Sequence, residues 1–373
     1  MRTLVLLSLL GGLLAIPSVA AAQTACTSLP DPIYIAGSSA VQPMVIEMAK
    51  VLSAQAAPVT LVYQKQGSCT GVNAIVLDTT PAGACANGAC IRGTANYYDA
   101  AGASHNCDLA ASGTHVDVGV SDVFVDTCTG LPPPAGVKNF QGPVQVMLMV
   151  VPKASTQTAI TAEEAYFVFG YGMPGRAMPW INESLMFVRN ALSGTQQMIS
   201  HTINVPAARW KGMDMGGSQQ VLDAVSASAM PEATIGIISA DFYDIHRDTL
   251  TALAFQTYGQ KGAYFPDSTA TSFDKQNVRD GHYVIWGALE LVAHVDGSGV
   301  LNTPAAKRFV DWVTGNTGNG GTPAPFDMTA IAIKAHTIPK CAMKVQRSSE
   351  AGALSPFTPA TDCTQTFLQM VGQ

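Results

Sequence analysis

The sequence predicts an α/β fold of two lobes, each built on a mixed, mostly parallel sheet, with a cleft between them. Three observations carry that prediction. Short β-rich runs are repeatedly followed by a polar Gly/Ser turn and then by apolar residues at helical spacing, as in "PIYIAGSSAVQPMVIEMAKVLSA", "VTLVYQKQGSCTGVNAIV" and "SLMFVRNALSGTQQMISHTI". Strand, turn and helix in alternation mark parallel sheets covered by helices. A length of 373 residues with 47% hydrophobic content is enough for two ordinary cores. Finally, the units fall into two groups joined near 142–150 and again near 275–285.

The first residues, "MRTLVLLSLLGGLLAIPSVAAAQ", combine one positive charge, an apolar run, a proline and small residues. They read as a signal peptide over 1–22, cleaved after Ala22, with Ala20 and Ala22 giving the A-x-A pattern. Lipid attachment at Cys26 is the weaker alternative, because Gln23 sits where an aliphatic residue belongs. The later run "VQVMLMVVP" is shorter than the roughly 18 apolar residues of a membrane span and reads as a buried strand. The expected location is the periplasm or the medium.

Lobe I is expected over 30–142 and 283–373, and lobe II over 143–282. In lobe I, "PIYIAG" is a strand, "SSA" a turn and "VQPMVIEMAKVLSA" a helix; "VTLVYQKQGSCTGVNAIV" repeats the unit. The stretch 77–114, rich in Ala, Gly, Thr and Asn and holding three cysteines, reads as a stapled insertion. "HVDVGVSDVFVD" returns to strand character and ends at Ser121-Asp122. "GPVQVMLMVVPKAS" is a long buried strand closed by Pro152. In lobe II, Thr161 with Glu163 and Glu164 suits a helix start, "GGSQQVLDAVSASA" is a Gly-Gly turn with an amphipathic helix, and "TIGIIS" is a strand. The chain returns through the strand "YVIWGALELVAHV" and the helix "PAAKRFVDWVTG", with Pro near its start and Gly after its end.

Formal net charge is −6, and no basic run or basic–aromatic stripe is present, which argues against nucleic acid as a partner. An acidic chain can still hold an anion through local hydrogen bonds. Eight cysteines in an exported protein point to as many as four disulfides. Cys85 and Cys90 could close a small loop and Cys341 with Cys363 could tie the C-terminal tail, but spacing does not fix the map. Zinc is disfavoured, since no two-plus-two ligand spacing appears. No metal or other cofactor is implied.

Four turns supply the candidate chemistry. "AGSSA" offers Ser38 and Ser39, "QGSCTG" offers Ser68, "GVSDVF" offers Ser121 and Asp122, and "RNALSGT" offers Arg189, Ser193, Gly194 and Thr195. Ligands of such sheets sit where strands end and helices begin, and helix N-termini favour anions. At these turns the chain resembles the phosphate-binding periplasmic proteins of ABC transporters. The likeness runs over about 31–315, through "YIAGSSAVQPMV", "YQKQGSCTGV", "DVGVSDV", "FVRNALSGTQQ", "GGSQQVLDAV", "ATIGIIS" and "AAKRFVDWV", and "RNALSGT" is its most specific part.

The resemblance implies a type II-like periplasmic binding fold. It also implies inorganic phosphate as ligand, an ABC permease as membrane partner and a monomeric protein. Carried over, it implies ligand contacts from Ser39, Ser68, Asp122, Arg189, Ser193 and Thr195, with backbone N–H groups of Ala40 and Gly194. Three departures stand out: "GSCTG" is poorer in glycine than the family's second turn, Ala40 replaces a bulky aromatic, and 77–114 has no counterpart.

The chemistry of the residues points the same way. Hydroxyls and helix-start N–H groups can surround an oxyanion, and Arg189 adds one charge in a fork suited to its oxygens. A carboxylate repels an anion unless the ligand brings a proton to donate, so Asp122 selects monohydrogen phosphate over sulfate. The alternative role for Asp122 is an ion pair that orients Arg189. An enzyme is not expected: no G-x-S-x-G elbow is present, and His246 with Asp241, Asp244 and Asp248 in "DFYDIHRD" reads as a solvated helix end. The remaining rival is a binding module for another oxyanion or a protein partner, without a transport role.

Overall fold

A computed structural model describes residues 24–79, 85, 89–316 and 320–372. The expected signal peptide lies outside the described residues. The chain runs through β1 (Pro32–Gly37), α1 (Gln42–Ser53), β2 (Thr60–Gln64), α2 (Ser68–Val76), β3 (Thr94–Tyr98), β4 (Ser104–Asp108), β5 (Val118–Ser121) and α3 (Val125–Thr129). The long β6 (Val137–Pro152) leads to β7 (Ala159–Thr161), α4 (Ala162–Tyr171), β8 (Met186–Val188), α5 (Gly194–Ile203), β9 (Met213–Asp214) and α6 (Ser218–Ser226). Then come β10 (Ile235–Ser239), α7 (Ala240–Asp244), β11 (Leu250–Ala252), β12 (Ala254–Gln256) and α8 (Gln276–Arg279). The chain closes with β13 (Trp286–His294), α9 (Pro304–Thr314), α10 (Met328–Lys334), the short pair β14 (Val345–Gln346) and β15 (Ser355–Pro356), and α11 (Thr364–Met370).

Local chemistry explains the boundaries. The Thr161 hydroxyl accepts from the N–H of Glu164 at 3.0 Å and starts α4. Thr303 does the same for Ala306 in α9, whose first residue is Pro304 and whose last turn is closed by Gly315 in the left-handed region. Strand β10 is buried on both faces, as its unbroken apolar run requires.

The sheets are mixed. Their strands follow the order β4-β3-β2-β1-β5-β13-β6-β10-β8-β9, with β11 also beside β6. Strand β6 is the seam. From Val137 to Val146 it pairs with β13, and from Met147 to Pro152 it pairs with β10 and β11. One 16-residue strand thus pairs with both groups of strands. A core of Met147–Val151, Trp180, Phe169, Ile199 and Tyr283 lies on one side of the seam, and a second of Ile33, Met44, Leu289, Phe309 and Trp312 on the other.

The 77–114 segment contributes more than a staple. Its hairpin β3–β4 extends the sheet beyond β2 through the Tyr63–Asn96 pairing, and Ala95, Cys107 and Leu109 pack with Val62, Val72 and Ile75 of the neighbouring elements. All eight cysteines are paired, as Cys26–Cys107, Cys69–Cys128, Cys85–Cys90 and Cys341–Cys363. Among the described residues no helix is long and apolar enough to cross a membrane.

Candidate functional site

The parallel ladders of β1 with β2 and β5 align three strand ends, and the turns that follow converge there. Asp122, just past β5, is 2% exposed. Its Oδ2 accepts from the Ser38 hydroxyl at 2.5 Å and from the Ser68 hydroxyl at 3.1 Å, while its own N–H donates to Ser68 Oγ. Its Oδ1 is buried without a hydrogen-bond partner. Burial pushes this carboxyl up to about 6, against the opposing pull of the two serines and of Arg189.

The other half of the site comes from across the seam. Arg189, past the end of β8, is 4% exposed. Its backbone N–H donates to Gln196 Oε1 at 2.9 Å, and its Nη1 donates to the hydroxyls of Ser218 at 3.1 Å and Ser39 at 3.4 Å. Its Nε is buried without a partner. Among the described residues Arg189 makes no salt bridge; the orienting ion pair with Asp122, the alternative read from sequence, is not formed. Ser193 stands at the N-cap of α5 and makes no capping bond with its hydroxyl, so its side chain is not committed to the helix. Thr195, in the first turn, is buried.

Glycine is required where the two halves meet. A Cβ on Gly194 would lie 2.1 Å from Ser68 Oγ and 2.5 Å from Asp122 Oδ2, so the N-terminus of α5 sits directly on the Asp122–Ser68 pair. Gly67, at φ +113, would place a Cβ 2.7 Å from the carbonyl of Leu192. The N–H of Cys69 donates to that same carbonyl at 3.1 Å. The turn before α2 is thereby locked onto the turn before α5.

The residues named from sequence therefore gather, with one qualification. The Ala40 N–H donates to Ser38 Oγ at 3.1 Å, so it is already engaged. Four neighbours were not among the expected ligand contacts. Ser38 carries the bond to Asp122 that the sequence reading left unassigned, Ser218 shares Arg189 with Ser39, and Tyr63 donates to the carbonyl of Ser38. Asp241 is the fourth, 1% exposed. Ser38 and Ser218 carried the signal that found the others, a serine between a strand end and a helix; Tyr63, inside a strand, carried none.

The "DFYDIHRD" segment needs correcting. It is not a solvated helix end: Asp241 and Asp244 are buried, although Asp248 is exposed. Asp244 pairs with Arg247 at 2.5 Å and Lys275 at 2.8 Å, which hold its carboxyl well below the ordinary range despite burial. His246 Nδ1 bonds the Phe242 carbonyl at 2.8 Å.

A cleft of about 440 Å³ opens beside this cluster, lined by Ser39, Gln42, Lys65, Ser218 and Phe242 among others. Lys65 donates to Gln42 Oε1 at 2.8 Å and sets a cation at the mouth. Chemically, the arrangement offers one buried cation, several hydroxyls, a helix N-terminus and a buried acceptor, a set suited to a protonated oxyanion.

No protein-family model matches the chain, and no curated protein matches it in sequence. Solved structures do share its fold. A phosphate ABC transporter substrate-binding protein from Clostridium perfringens, with bound phosphate, aligns at TM-score 0.53 and 15% identity over 83% of this chain and 99% of its own. An ABC-type phosphate transport receptor from Vibrio cholerae aligns at 0.50 and 14% over 82% and 99%. A human phosphate-binding apolipoprotein aligns at 0.51 and 13% over 82% and 90%. The fold is that of these two-lobed phosphate-binding proteins.

Proposed function

We propose that the chain is an exported solute-binding protein that captures inorganic phosphate for ABC-type uptake. The observation that carries this reading is buried Asp122 against the N-terminus of α5, with Arg189 and the serines around it. Lobe I comprises 30–142 and 283–373, and lobe II 143–282, so Ser38, Ser39, Ser68 and Asp122 face Arg189, Ser193, Gly194, Thr195 and Ser218. The lobes close on the anion, with β6 among the crossing strands. Ser39, Ser68, Ser193 and Thr195 donate hydroxyls, Gly194 its N–H, and Arg189 its guanidinium. Asp122 accepts the proton of monohydrogen phosphate. The phosphate-binding neighbours, one with phosphate in place, support the ligand class. The apolipoprotein has the same fold without being named a transport receptor, so uptake is the part of the reading that rests on export and family likeness.

The test is calorimetric titration of the mature, ligand-stripped protein with phosphate and then sulfate. Phosphate heat with little from sulfate is expected. Arg189→Ala should lower phosphate affinity at least tenfold, about 1.4 kcal/mol or more; unchanged affinity removes Arg189 from the site. Silence with both anions from the unmodified protein redirects the reading to another oxyanion or to a protein partner.

A further inference from the structure

A single phosphate held at Asp122 leaves unused the cleft of about 440 Å³ that opens beside it. That volume lies in the range of about 300–1,000 Å³ that ordinarily holds small organic ligands, whereas one phosphate displaces only a few waters of about 30 Å³ each. The cleft joins the inner site through its floor. The Ser39 and Ser218 hydroxyls lie 3.3 Å apart, both line the cleft, and both accept from Arg189 Nη1. Arg189 is 4% exposed and its Nε has no partner, so a buried guanidinium with bonding capacity to spare is aimed at that floor. Ser218 is also the first residue of α6, a nine-residue helix that no side chain caps at its N-terminus. Gln42, at the start of α1, and Lys65, just past β2, line the same cleft and are hydrogen-bonded to each other at 2.8 Å. Among the described residues Lys65 makes no salt bridge, and none of those lining the cleft is acidic. The carboxylate of Asp214 is engaged elsewhere, accepting from the Gly216 N–H at 2.8 Å and from Asn190 Nδ2 at 3.2 Å.

A cation, an uncapped helix start and two hydroxyls, with no acid among them, suit a second anionic group. Because the floor is shared with the inner site, one molecule can fill both. Asp122 decides which molecule. A phosphate monoester is largely a dianion near neutral pH, since its second ionisation falls near pH 6, and so has no proton for the Asp122 carboxylate. Inorganic diphosphate keeps a proton at that pH and carries its second phosphoryl group one bridging oxygen away. We infer that the site takes inorganic diphosphate as well as phosphate. One phosphoryl group sits at Asp122 and the start of α5, and the bridging oxygen passes by Ser39 and Ser218. The other phosphoryl group lies in the outer cleft, against the start of α6 and Lys65. The inference rests on the Asp122 cluster being a phosphate site and gives that site an outer half.

The experiment is calorimetric titration of the mature, ligand-stripped protein with phosphate, inorganic diphosphate and phenyl phosphate, followed by titration of the phosphate-loaded protein with diphosphate. Diphosphate is expected to bind one to one, to compete with phosphate, and to bind more tightly than phenyl phosphate. Lys65→Ala should lower the ratio of diphosphate to phosphate affinity about fivefold, the upper end for one exposed ion pair. Gln220→Glu should lower it at least as far, because Gln220 lines the outer cleft. An acid in the first turn favours a helix, so that variant does not endanger the fold. Phosphate heat without diphosphate heat, or a ratio unmoved in both variants, overturns the outer half and leaves phosphate capture standing. Phenyl phosphate binding more tightly than diphosphate also overturns it, in favour of an apolar substituent lying against Phe242. Silence with both phosphate and diphosphate overturns the inner site as well.

Discussion

Asp122 does two jobs that pull in opposite directions. As a free carboxylate it would repel an anion; as an acceptor held by Ser38 and Ser68 it can take a ligand's proton. Asp122→Asn replaces an acceptor-only group with one that also donates, so sulfate, which has no proton to give, stops being penalised. The variant should narrow the phosphate-to-sulfate preference by at least tenfold in competition titrations; an unchanged preference would make Asp122 structural. This residue was legible in the sequence because a carboxylate at a strand end among serines is chemically conspicuous. Asp241 also follows a strand, two residues past the end of "TIGIIS", but it stands in the charged segment "DFYDIHRD" with His246, where it read as solvated. What distinguished it was burial, and burial of a polar residue depends on contacts from distant segments that local spacing does not encode.

At the scale of elements, the site is built by turns fastened to one another. The Cys69–Cys128 disulfide joins the first turn of α2, next to Ser68, to α3, which follows Asp122 by only a few residues. It therefore fixes the two elements that set the Ser68–Asp122 pair. Replacing both cysteines with serine should cost about 2–4 kcal/mol in chemical denaturation and weaken phosphate binding as well. A stability loss with affinity unchanged would separate the staple from the site. The sequence showed the cysteine in "GSCTG" only as a departure from a glycine-rich turn, because pairing depends on three-dimensional proximity; Cys85–Cys90 and Cys341–Cys363 were legible because their partners are close in the chain. The same limit applies to the hairpin β3–β4. Its strands are polar and largely exposed on β4, so the segment lacked the apolar alternation that marks a strand, yet backbone pairing to β2 places it in the sheet.

For the whole molecule, the set of buried acids dictates how stability depends on pH. Burial pushes Asp122 to about 6, Glu290 to about 7 and Glu350 to about 8, with the Phe124 N–H and Arg347 only partly compensating at Glu350. In the unfolded chain these groups return to the ordinary carboxyl range near 4. Between those limits the folded protein binds more protons than the unfolded one, so its stability falls as pH rises. Each group contributes about 1.4 kcal/mol per pH unit across its own window. Asp244, held low by Lys275 and Arg247, acts in the opposite sense: its contribution is present above about pH 4 and is lost only in stronger acid. Stability without ligand should therefore peak in mild acid and decline toward pH 8, and Glu350→Gln should flatten the upper part of that decline. Denaturant midpoints of the ligand-free protein at pH 5 and pH 8 test this. A midpoint that is level or higher at pH 8 would mean that these acids are hydrated or paired in the folded state. A lower one would mean that the molecule holds a reserve of buried carboxyls around its site, strained at neutral pH and relieved by whatever brings protons or a protonated anion to it.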